Sequence, residues 1–292
     1  MKHIRSWSVL AAMLCISLLI AGCSSSRTVG RVAEKFGETV KNQPATSATA
    51  ELTADVSVKG APSNVKFRTV LHGKVDWDAR RGYSEAETSF SLPLLELSQN
   101  FQCYSSTEKG EALHYIHVDN PEVWLRADSR KSITELNTSA LLTLLDSASE
   151  SAEAELQENT AGGADHYLLK LSFTGKDLEK FLVGSGFQLP QWLKEQSLEG
   201  ISVPVEVEIE DKTYLPLSIL IEIQGIDGAL SQALSQELMR DPLLQELDTE
   251  LEIGDISLLI TNFSYEQQQI PKLPMGAAEN ALDLNKLREL QK

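Results

Sequence analysis

The sequence predicts an α+β protein built on one large curved antiparallel sheet, with short amphipathic helices packed in its concave face. Long stretches alternate apolar and polar residues, the period-two mark of half-buried strands. Only a few short runs repeat at helical spacing instead. A broad sheet with one apolar face and few helices buries that face by curving over them.

In chain order, the first segment is not part of the fold. Lys2 and Arg5 form a basic start, and Val9 to Ala21 form an apolar run with only Ser17 clearly polar. The run is too short for a spanning helix and carries signal-peptide flanks. It ends in Leu19-Ile20-Ala21-Gly22-Cys23, with serines following. This stretch resembles the bacterial lipobox: an aliphatic residue, two small residues and a cysteine. The resemblance implies cleavage between Gly22 and Cys23 and acylation of the Cys23 thiol. Residues 1–22 are then a signal peptide, and 23–50 a lipidated tether with a short helix. Two or more acyl chains hold a protein stably at a membrane, at roughly 0.8 kcal/mol per buried methylene. The expected location is the cell envelope, on the outer face of the cytoplasmic membrane or on an outer membrane if the host has one.

Of three cysteines, Cys15 leaves with the signal, Cys23 is lipidated and Cys103 remains alone. No intrachain disulfide is then possible, so the core holds by packing. Cys103 lies in a strand-like run without a basic neighbour in sequence and reads as a small buried hydrophobe. A formal charge of −16, made more negative by loss of Lys2 and Arg5, argues against nucleic acid and against docking on anionic lipid.

Val29, Val32, Ala33, Phe36 and Val40 predict an amphipathic helix over roughly Arg27 to Lys41, packed against the domain. Pro44 lies in a polar break. Leu52, Ala54, Val56 and Val58 then alternate with polar residues, and so do Val65, Phe67, Thr69, Leu71, Gly73 and Val75 after a Gly-Pro-Asn break. Further strands are expected at Tyr83 to Phe90, Leu97 to Ser105, Ala112 to Val118 and Glu122 to Ala127, each paired with its sequence neighbour. A helix with Leu141, Leu142, Leu144 and Leu145 follows. Acidic Glu150 to Glu158 lead to a strand over Tyr167, Leu169, Leu171 and Phe173, and the run Glu153 to Glu158 reads as a solvated face. Thr174 caps a short helix.

Ile201, Val203, Val205, Val207 and Ile209 face one way, and Leu217, Ile219, Ile221 and Ile223 run back beyond the turn Asp211-Lys212-Thr213. Pro204 argues for an edge position or a bulge. Leu230, Leu234 and Leu238 open a helical insertion over 229–248, and Asp241-Pro242 suits a cap with proline at the first helical position. A last long strand covers about Leu251 to Glu266, and 272–292 form a polar tail.

The strand domain, 51–271, resembles the LolA-like lipoprotein carriers and their LppX/LprG-like relatives. The resemblance rests on the lipobox followed by a helix and a meander, on the pair Val203 to Glu210 and Leu215 to Ile219, and on Asn262-Phe263-Ser264-Tyr265 leading to Ile270-Pro271. It implies a half-barrel whose cavity holds acyl chains. Val205, Val207, Ile219 and Ile221 are then the expected pocket wall, and Leu230, Leu234 and Leu238 part of a lid. The expected partners are a membrane through the lipid anchor and a lipid or other apolar molecule. The competing reading is an interaction lipoprotein with a filled core and a protein partner, docked near Trp124 or the tail.

No catalytic group, metal or cofactor is expected. His114 and His117 point to opposite faces of a strand, so they cannot share a metal. Asp76 and Asp78 read as a solvated strand end rather than a calcium loop. Gly175-Lys176 lacks phosphate-loop spacing, and the serines lack a nucleophile-elbow context.

Overall fold

In a computed structural model, the described residues are 29–58, 65–92, 95–108, 111–129, 153–157, 165–177, 200–226, 231 and 251–283. The lipobox with Gly22 and Cys23, the helix near Leu141 and the insertion with Leu230, Leu234 and Leu238 lie outside them.

One sheet contains every strand among the described residues. The strands are β1 (Ser47–Val58), β2 (Val65–Asp76), β3 (Arg81–Leu92), β4 (Leu95–Glu108), β5 (Glu111–Asp119), β6 (Glu122–Ser129), β7 (Glu153–Gln157), β8 (His166–Thr174), β9 (Ser202–Glu210), β10 (Pro216–Ile223), β11 (Leu251–Ser264) and β12 (Leu282–Asp283). Their order is β12-β6-β5-β4-β3-β2-β1-β11-β10-β9-β8-β7. The order has two ends, so the described sheet is open. All pairings are antiparallel except β12 on β6. The chain makes two meanders, β1 to β6 and β7 to β11, and β1 pairs with β11 where they meet.

Alternation sends one side chain in two to a common buried face. Ala50, Leu52, Ala54 and Val56 of β1 meet Ile253, Ile256, Leu258 and Ile260 of β11 in one core, which extends through Ile219, Ile221, Val205 and Val207 to Leu169 and Leu171. Helix α1 (Val29–Asn42) adds Val32, Phe36 and Val40 to it and packs on β7 and β8. These three sit one turn apart on one stripe. Lys35 fixes the helix further: its Nζ donates to Tyr214 Oη at 3.3 Å and lies 4.5 Å from the Tyr214 ring centroid. Tyr214 in turn stacks on Tyr167, with centroids 5.9 Å apart.

Four expectations need correction. Pro204 sits neither at an edge nor at a bulge, because β9 lies between β8 and β10. Its missing N–H is accommodated by a gap: the β9–β10 ladder stops at Val205–Ile221 and resumes as a single bridge at Ser202–Gln224. Leu217 does not share a face with Ile219 and Ile221. The register shifts between Pro216 and Ser218, which leaves Leu217 44% exposed. The acidic run at Glu153 is itself strand β7 rather than a lead-in. Finally, the tail is not simply polar: Ala277–Asn280 forms a helical turn, α2, with Ala277 buried, and Leu282–Asp283 pairs with Leu125–Arg126 of β6.

Gly225 ends β10 with φ +80°, and a Cβ there would stand 2.5 Å from the Gly200 carbonyl oxygen. Strain and overlap both oppose a side chain. Gly225→Ala is expected to cost about 1–3 kcal/mol in chemical denaturation. Gly200→Ala is the control, since nothing lies within 4 Å of its added Cβ.

Candidate functional site

The buried face changes character across the sheet. From β8 to β11 it is lined by large side chains, Leu169, Leu171, Phe173, Val205, Val207, Ile219, Ile221, Leu258 and Ile260. Val205 pairs with Ile221 and Val207 with Ile219, so the four expected wall residues form a compact square. α1 adds its apolar stripe to this same core. From β1 to β5 the same face still buries Leu52, Leu71, Phe101 and Val118, but two adjoining rows carry small side chains. Ala48, Gly73, Ser84 and Cys103 lie in one cross-strand row, and Gly82, Ser105 and His114 in the next. Small residues leave room between a sheet and whatever covers it, whereas large ones fill that room.

The β1–β5 part of the face also holds polar groups. Thr69 Oγ1 and Thr88 Oγ1 are 3.0 Å apart and buried. Ser105 Oγ lies 2.8 Å from His114 Nδ1, again buried, and Cys103 Sγ lies 3.6 Å from Ser105 Oγ. Thr107 is next along β4 on this face, because it pairs with Ala112. Its Oγ1 is buried without a hydrogen-bond partner among the described residues. The sequence names Cys103 and His114 singly and gives no mark to Ser84, Ser105 or Thr107. The available signal was the two-residue step of β4, which puts Cys103, Ser105 and Thr107 on one side.

His114 and His117 do point to opposite faces. His117 is on the outer face, where its ring lies 4.7 Å from Trp124 and its Nδ1 lies 3.2 Å from Asp119 Oδ1. Trp124 continues an aromatic row, 5.8 Å from Tyr104, which is 4.9 Å from Tyr83. Tyr83 donates a short hydrogen bond to Glu85. Asp76 Oδ1 accepts from Ala79 N at 2.9 Å, so it caps the β2–β3 turn. Thr174 Oγ1 accepts from Asp177 N at 3.4 Å, the capping arrangement expected for it. No group of His, Cys, Asp or Glu among the described residues could hold a metal ion.

Burial pushes the Cys103 thiol above its ordinary range, against a smaller opposing effect of the Ser105 hydrogen bond. Burial likewise raises Tyr83, helped by Glu85, and also Tyr104 and Tyr265. These groups stay protonated in the folded chain at a pH where the unfolded chain ionises. Their stabilisation is complete below the unfolded values of about 8.5 for cysteine and about 10 for tyrosine, and is lost as pH rises through the folded ones. The urea midpoint is expected to fall between about pH 9 and 11. At pH 8 the native Cys103 should resist a thiol reagent and react once the chain is unfolded. Rapid native labelling would contradict its enclosure.

No protein-family profile matches the chain, and no curated protein does. Solved structures match weakly. A DUF1329 family protein from Desulfovibrio piger is 11% identical over 84% of this chain and 96% of its own, with a TM-score of 0.27. A Vibrio parahaemolyticus domain named for outer membrane lipoprotein sorting is 12% identical over 80% and 90%, with a TM-score of 0.23. A beta-barrel-like DUF1849 protein from Brucella abortus is 9% identical over 74% and 97%, with a TM-score of 0.23. The fold rests on the sheet itself.

Proposed function

We propose that the protein is an envelope lipoprotein, tied to a membrane through Cys23, that holds a lipid or another apolar molecule in a LolA-like half-barrel. The observation that carries this reading is the pair of small-residue rows, Ala48 to Cys103 and Gly82 to Ser105, within the buried face. Around α1 the face is a packed core, and the small-residue rows are where a guest would fit. Only residues 24–28 separate the anchor from α1. They reach at most about 18 Å, so the anchor keeps the sheet close to the bilayer.

The reading is of a binder rather than an enzyme. A hydroxyl bonded to an imidazole, as in Ser105–His114, is the start of a nucleophile–base pair. Hydrolysis also requires amide donors aimed at a developing oxyanion. The amides beside Ser105 belong to a strand paired on both sides, with β3 and β5.

Native mass spectrometry of protein taken from its own envelope tests the reading. The expected result is a mass excess that vanishes on denaturation and fragments as an acyl lipid. A bare mass together with no uptake of a fluorescent fatty acid would sink it.

The half-exposed pair Tyr104 and Trp124, 5.8 Å apart, favours a second reading, a protein partner docked on the outer face. A photocrosslinker at Trp124 that captures nothing specific in cells would remove it.

A further inference from the structure

We propose that the patch Ser84, Ser105, Thr107 and His114 seats the one polar group of the bound apolar molecule, and that this group is an uncharged hydroxyl or ester, as in a glyceride. The inference rests on the apolar-binding reading above and specifies its ligand.

The argument starts from placement. Four polar side chains occupy neighbouring inward positions on three adjacent strands: Ser84 on β3, Ser105 and Thr107 on β4, and His114 on β5. Ser84, Ser105 and His114 are buried. A core with no polar guest would do better with apolar residues at these positions, because buried polar groups cost free energy unless bonded. Thr107 Oγ1 is such a group, buried and unmatched among the described residues. Gly82 lies beside Ser105 in the same row, and a Cβ on it would meet Lys74 O and Ser105 Cβ at an ordinary 3.6 Å. Neither packing nor conformation at Gly82 requires glycine, so its missing side chain leaves a methyl-sized gap beside Ser105.

The chemistry then selects the guest. Hydroxyls donate and accept, and imidazole does either according to tautomer. None of the four is permanently charged. Among the described residues no fixed cation joins the patch, so a carboxylate or phosphate buried there would pay heavily for desolvation. A hydroxyl or ester carbonyl asks only for neutral hydrogen bonds. Its chains would follow the face past Ala48 and Ala86 toward Phe101 and Val118, the apolar rows of the same strands.

The test uses the full chain held in amphipathic polymer and loaded with N-phenyl-1-naphthylamine. The dye is displaced with 1-monopalmitoylglycerol or with hexadecane. The monoglyceride should act at about tenfold lower concentration, the equivalent of about 1.4 kcal/mol. Ser105→Ala should bring the two ligands together by weakening the monoglyceride alone. Gly82→Val, which fills the gap beside Ser105, should do the same. Thr107→Val should weaken the monoglyceride while raising the melting temperature, a combination that misfolding cannot produce. Equal displacement by both ligands in the wild-type chain, or a preference untouched by the variants, overturns the assignment and leaves apolar binding intact. A chain that takes up no dye overturns both.

Discussion

Ile260→Ala should lower the free energy of unfolding by about 2–5 kcal/mol, toward the upper end of that range. Ile260 is 0% exposed. It lies opposite Ala50 of β1 on one side and Ile219 of β10 on the other. It therefore stands on the seam where the two meanders join. The size of the effect follows from the neighbours. Ala50 is too short to move into the vacated space, and the strands on either side are fixed by their ladders. A cavity that cannot collapse keeps its full cost. Leu259 is the natural comparison. It is one residue away, on the opposite face and 37% exposed, so Leu259→Ala should change stability by only about 0.5 kcal/mol. Urea titrations of both variants decide the matter. Equal losses at 259 and 260 would mean that the seam is not where the sheet is buried. A large loss at 260 alone establishes that the meanders fold as one unit.

That seam was hidden from the sequence, whereas most strands were visible. Period two announces a strand because its cause is local: successive side chains take opposite sides of the backbone. So Val65 to Val75 and Ser202 to Glu210 could be placed from pattern alone. Pairing of β1 with β11 is a contact between distant segments, and neither strand carries a mark of its partner. The same distinction explains the corrections. Leu217 alternates correctly in sequence, and one register shift turns it outward. Pro204 reads as an edge residue until a gap in the ladder is found beside it. Glu153 to Gln157 looks solvated because acidic residues dominate it, yet a strand at the end of a sheet has water on one side and tolerates such a sequence. The polar patch was half legible. Alternation assigns Cys103, Ser105 and Thr107 to one face, but only the register brings His114 of β5 and Ser84 of β3 alongside.

Phe36→Ala should cost about 3–5 kcal/mol if the helix and sheet unfold together, and much less if the helix merely detaches. Phe36 is the central member of the stripe Val32, Phe36 and Val40 that α1 buries. At 14 residues, α1 is marginal as an isolated helix and owes its stability to docking. Lys35 and Tyr214 provide a second hold, through one hydrogen bond and one cation–π contact. Hydrogen exchange separates the two outcomes. Exposure of the α1 amides with β1 to β5 still protected would make the helix an independent unit. Exposure of both together would make α1 part of the core. The way the Phe36 core closes over β7 and β8 favours the second outcome: Val32, Phe36 and Val40 share one cluster with Leu169, Leu171 and Ile260. Removing the aromatic ring should therefore loosen the strands that α1 covers as well as the helix itself.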